Sequence, residues 1–137
     1  MPTSLRRALS LALLAYAGML LVVLFHPSSD VPSGLVQRAI ELGVRLDAPA
    51  QFVQAARVEF GLNVLAFLPL SLLGSLLRPT ITVSTWTALG FAGSLLVEAV
   101  QTTMPDRMAT HSDIVANTLG AALGALVAWL VLRPFRQ

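Results

Sequence analysis

Apolar residues run almost unbroken through four stretches of this chain: Leu5 to Phe25, Phe60 to Leu77, Ile81 to Val100 and Ile114 to Leu132. Each is close to the ~20 residues that carry a helix across the hydrocarbon core, the second being the shortest and containing Asn63 and Pro69. Backbone polar groups must be paired inside a bilayer, and helices are the economical way for so small a chain to achieve that. The pattern predicts an all-α fold: a four-helix transmembrane bundle forming a single domain over residues 1–137. The only long connection runs from His26 to about Arg57. It opens on Pro27, Ser28, Ser29, Asp30, Pro32 and Gly34, a cluster that predicts irregular chain. From Leu35 the periodicity changes. Leu35, Val36, Ala39, Ile40, Val44 and Leu46 share an apolar face opposite Gln37, Arg38, Glu41 and Arg45, which predicts an amphipathic helical segment in the outer membrane interface between spans one and two. Pro49 breaks it, and a second helix is expected to enter from Gln51 and continue into span two. The segment reads either as a tether covering the bundle or as a substrate-facing lid.

Composition agrees with this reading. Of 137 residues, 55% are hydrophobic and only 12% charged, and the mean hydropathy is +0.76, far more apolar than a soluble domain. Arg6, Arg7, Arg78, Arg133 and Arg136 fall at one set of span ends with no acidic residue among them. By the positive-inside rule both termini are cytoplasmic, which predicts a multi-pass protein of the cytoplasmic (inner) membrane. Trp86 and Trp129 fall at the same predicted surface, as interfacial anchors do. Arg6, Arg7 and the Ala15-Tyr16-Ala17 triplet resemble a cleavable signal, but the apolar run continues to Phe25, so span one reads as a retained anchor. The net charge of +2 is spread over span ends, which argues against nucleic acid as a partner. Cysteine is absent, which removes disulfides, thiol nucleophiles, iron–sulfur clusters and covalent haem.

Polar residues concentrate between Leu96 and Asn117. Glu98 and Gln101 stand i, i+3 on the helix that arrives, and Asp113 and Asn117 stand i, i+4 on the helix that leaves, with Asp106, Arg107 and His111 between them. Groups that costly near hydrocarbon are paired or functional. Glu98 lies roughly 12 residues, or ~18 Å, along the helix from Trp86, in the outer half of the bilayer. An ion pair with Arg107 that closes the turn and a functional carboxylate are both open to it. Asp113, or Thr110 or Ser112 beside it, suits a helix cap. Asn117 needs a partner, for which Asn63 qualifies, and Glu59 stands i, i+4 before Asn63 on the same surface. Small-residue stripes, Gly90, Ser94 and Glu98 in span three and Ala116, Gly120, Gly124 and Ala128 in span four, predict that these two spans pack on each other. His26, His111, Asp113 and Glu98 lack the close spacing of a metal site, so no metal and no cofactor is assigned. Ser112 beside His111 carries no nucleophile-elbow signature.

These ordered residues resemble the VanZ-like family of small membrane proteins. The family pattern, N-x-x-x-F-x-P near one span, E-x-x-Q ending the next, R in the turn and D-x-x-x-N-x-x-G opening the last, falls on Asn63, Phe67 and Pro69, on Glu98 and Gln101, on Arg107, and on Asp113, Asn117 and Gly120. The resemblance runs from Glu59 to Leu132. Ser71 stands where the family's P-L-G has glycine. The resemblance implies a polytopic cytoplasmic-membrane protein of bacteria, related to one associated with low-level resistance to teicoplanin-type glycopeptides, and supplies no established reaction or substrate.

The residues themselves point first to a cell-envelope protein whose outward polar pocket, made of Glu98, Gln101, Arg107, Asp113, Asn117 and Asn63, binds a membrane lipid or lipid-linked amphiphile. Arg107 would meet an anionic group and the spans would accept a tail. The alternative is an intramembrane enzyme acting on a lipid-linked envelope precursor with Glu98 as acid or base. A third reading leaves the cluster only holding the helices in register.

Overall fold

The structure, a computed structural model, describes residues 1–26, 30–104 and 110–135. It contains α1 (Thr3–Leu24), α2 (Asp30–Arg45), α3 (Ala55–Leu77), α4 (Val83–Gln101) and α5 (His111–Leu132), followed by a short 3-10 turn at Arg133–Phe135. Four of them, α1, α3, α4 and α5, are long and apolar enough to cross a membrane, and the chain is a multi-pass membrane protein. Large apolar side chains such as Leu11, Leu14 and Val22 of α1 and Leu96 of α4 lie exposed. On a soluble bundle that would be a liability, whereas here it is the surface presented to lipid.

α5 is the axis of the bundle. It packs most extensively on α3 and next on α4, while α1 leans on α3. The reason is size: Ala116, Gly120, Ala121, Gly124, Ala125 and Ala128 leave the α5 backbone open to close approach from two sides. The two sides are used differently from the sequence expectation. Gly120 and Gly124 do not face α4. A Cβ on Gly120 would collide with the Val64 carbonyl oxygen, and one on Gly124 with the Leu68 carbonyl oxygen and Ser71 Oγ, all on α3. The α4 contact is made instead by Gly90 against Ala121 and by Ser94 against Asn117. Ser71, at the family's glycine position, is buried and donates to its own Leu68 carbonyl at 3.2 Å, and the bare Gly124 opposite leaves room for it.

α2 also departs from expectation. It begins at Asp30, so Pro32 and Gly34 lie inside its first turns. Proline costs nothing there, because the first N–H groups of a helix have no intrahelical acceptor. The helix stops before Pro49, through Asp47 in a left-handed conformation (φ 53°). The Ala48 N–H then reaches the Gly43 carbonyl (3.0 Å) and the Asp47 N–H that of Val44 (3.1 Å), the paired bonds of a Schellman turn. α3 starts at Ala55, not Gln51, and is continuous with the second span.

Two long-range bonds fix the topology. Gln101 at the end of α4 donates to the Leu24 carbonyl at the end of α1 (2.9 Å), and Asn63 near the start of α3 bonds Asp113 near the start of α5 (2.7 Å). These four helix ends therefore meet at one pole of the bundle. Arg6, Arg7, Arg78 and Arg133, with the start of α1 and the end of α5, belong to the other.

Candidate functional site

Helix capping decides what Asp113 is free to do. Thr110 is the N-cap of α5, its Oγ1 accepting from the Asp113 N–H at 3.3 Å. Asp113 is thereby one turn into the helix with its carboxylate unoccupied by capping, and Asn63 Nδ2 donates to its Oδ1 across 2.7 Å. One turn deeper, Asn117 Nδ2 donates to Ser94 Oγ of α4 at 2.9 Å in a fully buried contact. Asn63 therefore serves Asp113, and the partner of Asn117 is Ser94.

The α4–α5 seam reads as a ladder. Ser94 pairs with Asn117 on the inner rung, and one turn outward on each helix Glu98 stands beside Asp113, close enough for their charges to interact. Glu98 is buried, at 7% exposure, and its carboxyl group meets the Thr110 backbone N–H and the field of His111. Glu59 on α3 is exposed and within electrostatic reach of the same Asp113. Three acidic side chains from three helices thus converge where α5 begins. The N-terminus of α5, whose first-turn N–H groups lack intrahelical acceptors, adds a positive partial charge at that pole, where Arg57 also stands in the first turn of α3. The Asn117 amide carries a further demand. Its Oδ1 is buried without a hydrogen-bond partner among the described residues. Whichever way the amide is turned, Ser94 satisfies only one of its two polar atoms.

Gln101 is placed differently from the other sequence candidates. It is buried, but its amide is directed to the Leu24 carbonyl, so it ties α4 to α1 instead of joining Asp113. Beneath that tie lies an apolar groove of about 340 Å³. Leu20, Leu24 and Phe25 form one wall, Leu96, Val97 and Val100 the other, and Phe67 and Leu70 of α3 the floor. Sequence reasoning missed this groove, because which apolar residues face lipid and which face a gap between helices is invisible in a uniformly apolar run. Asp106 and Arg107, and with them any Glu98–Arg107 ion pair, lie outside the described residues. Among the described residues, no group of three or more His, Asp or Glu is arranged to hold a metal.

Comparison with known proteins adds a family model, VanZ/LLP1, that matches residues 13–132. The match takes in most of α1 and the whole of α2, well beyond the region of motif resemblance. No curated protein and no solved structure matches the chain.

Proposed function

Because the chain belongs to the VanZ/LLP1 family, a premise that gives it a membrane setting but no reaction, we propose that it is a cell-envelope protein that binds a lipid-linked or amphiphilic molecule. The polar pole of the bundle faces outward in this reading and the arginine-bearing pole faces the cytoplasm, in accord with the positive-inside rule. The observation that carries the reading is the pairing of two unlike surfaces at one depth. Glu98 and Asn117, both buried, and Asp113 and Asn63, both half-buried, form a polar set, and Val97 and Val100, close to Glu98 on α4, line a groove of about 340 Å³ with no polar wall. A headgroup needs the first and a tail the second. Arg107, in the turn that joins α4 to α5, supplies an anion-binding guanidinium in this proposal. The ligand class includes the lipid-bearing glycopeptides that the family resemblance brings in. The test is lipid analysis of the purified protein together with envelope-antibiotic sensitivity, teicoplanin-type glycopeptides included, of a deletion strain. A bound amphiphile and a changed sensitivity profile are expected; absence of both removes the reading.

The enzyme alternative rests on Glu98 standing beside Asp113 in a water-poor setting, a juxtaposition that acid–base chemistry uses. Incubation with envelope lipids separates the two readings. Product formation lost in a folded Glu98→Gln variant favours catalysis, and turnover undiminished by that change removes the role from Glu98.

A further inference from the structure

At the arginine-bearing pole, far from the acidic set, the turn between α3 and α4 encloses a second cavity of about 330 Å³. Its walls come from Ser75 of α3, from Thr80, Thr82 and Ser84 around the turn, and from Ala125 and Trp129 of α5. In contrast to the α1–α4 groove, much of this wall is hydroxyl. We propose that this cavity binds a phosphate group, and that in the membrane this is the headgroup phosphate of an anionic lipid. The inference rests on no part of the function proposed for the opposite pole.

Four observations converge on an oxyanion. First, Ser75 is 6% exposed, lines the cavity, and its Oγ has no hydrogen-bond partner among the described residues. A buried hydroxyl left unpaired is unfavourable, and a ligand that accepts its proton removes the penalty. Second, one residue away, Gly74 lets the Trp86 ring lie directly on the α3 backbone, and the Trp86 indole N–H is also buried and unpartnered. An indole N–H can only donate. Third, α4 begins at the cavity wall. Thr82 caps it by accepting from the Thr85 N–H at 3.2 Å, which leaves the first-turn N–H groups of Val83 and Ser84 without intrahelical acceptors. Fourth, two arginines stand next to the residues that line the site. Arg78 immediately precedes the turn, and Arg133 is held 5.5 Å from the centroid of the Trp129 ring that lines the cavity. The indole N–H, the backbone N–H groups and the guanidinium groups can only donate, and the Ser75 hydroxyl can donate as well. An anion with several acceptor oxygens answers the donors and the positive charge together, as a phosphate does.

The chain has two tryptophans: Trp129 lines the cavity, and Trp86 packs on α3 at Gly74, one residue from Ser75. Intrinsic fluorescence therefore reports on it without a label. The full-length protein in a neutral maltoside detergent is titrated with phosphatidylglycerol, with diacylglycerol and with inorganic phosphate. A saturable change in tryptophan emission with phosphatidylglycerol, absent with diacylglycerol, is the expected result. It should weaken about tenfold in Ser75→Ala, the loss of one hydrogen bond to a charged group, and similarly in Arg78→Gln with Arg133→Gln. Because the Ser75 hydroxyl has no partner among the described residues, Ser75→Ala should unfold at the temperature of the parent protein, which separates a binding defect from a folding defect. Saturation by inorganic phosphate alone would keep the site and assign it to the free anion. A diacylglycerol response equal to that of phosphatidylglycerol, no saturable response to either phosphate probe, or unchanged affinity in both variants would overturn the proposal.

Discussion

Asn63 and Asp113, fifty residues apart in the chain, share a 2.7 Å hydrogen bond between Asn63 Nδ2 and Asp113 Oδ1 that joins α3 to the first turn of α5. Only because Thr110 performs the capping of α5 is the Asp113 carboxylate available for this bond. Removing it with Asn63→Leu should lower stability by about 1 kcal/mol, the scale of an interhelical hydrogen bond between membrane helices. Unfolding in mixed micelles measures it. Asp113→Asn, which keeps an acceptor oxygen, should cost less, and equal losses from the two changes would remove the bond from the explanation.

Close approach of α5 to α3 predicts a steep contrast among glycines. Gly124→Ala places a methyl against the Leu68 carbonyl and Ser71 Oγ, backbone and a short buried side chain that cannot swing away, and should cost about 3 kcal/mol. Gly18→Ala on α1, where nothing lies within 4 Å, should be neutral or slightly stabilising. Thermal unfolding of the two variants in the same detergent gives the comparison.

If the α1–α4 groove seats a tail, it can be filled without disturbing the bundle. Gly93 lines the groove and a Cβ there meets nothing within 4 Å. Gly93→Leu should keep the parental unfolding temperature and reduce copurified amphiphile severalfold by occupying its space. Undiminished lipid content in a folded Gly93→Leu protein would separate the groove from the binding function.

Glu98 distinguishes function from architecture. Glu98→Gln keeps size and hydrogen-bonding capacity beside Asp113 while removing charge, so folded yield should be retained and antibiotic sensitivity of the cells should match that of a deletion strain. A phenotype that falls only in proportion to folded protein would assign the carboxylate a structural role.

Membrane orientation is open to direct labelling, because the chain has no cysteine of its own. Thr103→Cys, just beyond α4 at the acidic pole, should react with a membrane-impermeant thiol reagent on intact cells, and Ser4→Cys at the start of α1 should react only after permeabilisation. The reverse pattern would invert the orientation in the bilayer and with it the outward placement of the acidic set.

The sequence by itself determined the four spans, the amphipathic segment between the first two, and the helix ends at which Glu98, Asp113, Asn117 and Asn63 gather. Each follows from local physics. An apolar run near twenty residues has few alternatives to a spanning helix, and i, i+3 and i, i+4 spacing places side chains on one face whatever surrounds them. The threonine and aspartate that open α5 are legible in the same way, since capping is settled within four residues of chain.

Tertiary structure alone decided the pairings. Periodicity says that Gly120 and Gly124 share a stripe with no Cβ to project, but not which neighbour will press against it. The Val64 and Leu68 carbonyls of α3 take that place, and α4 meets α5 through Gly90 and Ser94 one face around. Gln101 looked like a member of the acidic cluster from its spacing to Glu98. A helix turns about 100° per residue, so three positions leave the two side chains some 60° apart, enough for one to face α5 and the other to reach the Leu24 carbonyl of α1. The two cavities are decided in the same way, because a gap belongs to the distance between helices and no single helix carries it. Ser75 reads along the chain as one more small residue of α3. Only the turn before α4 and the ring of Trp129 put it at a cavity wall with its hydroxyl buried and without a partner among the described residues.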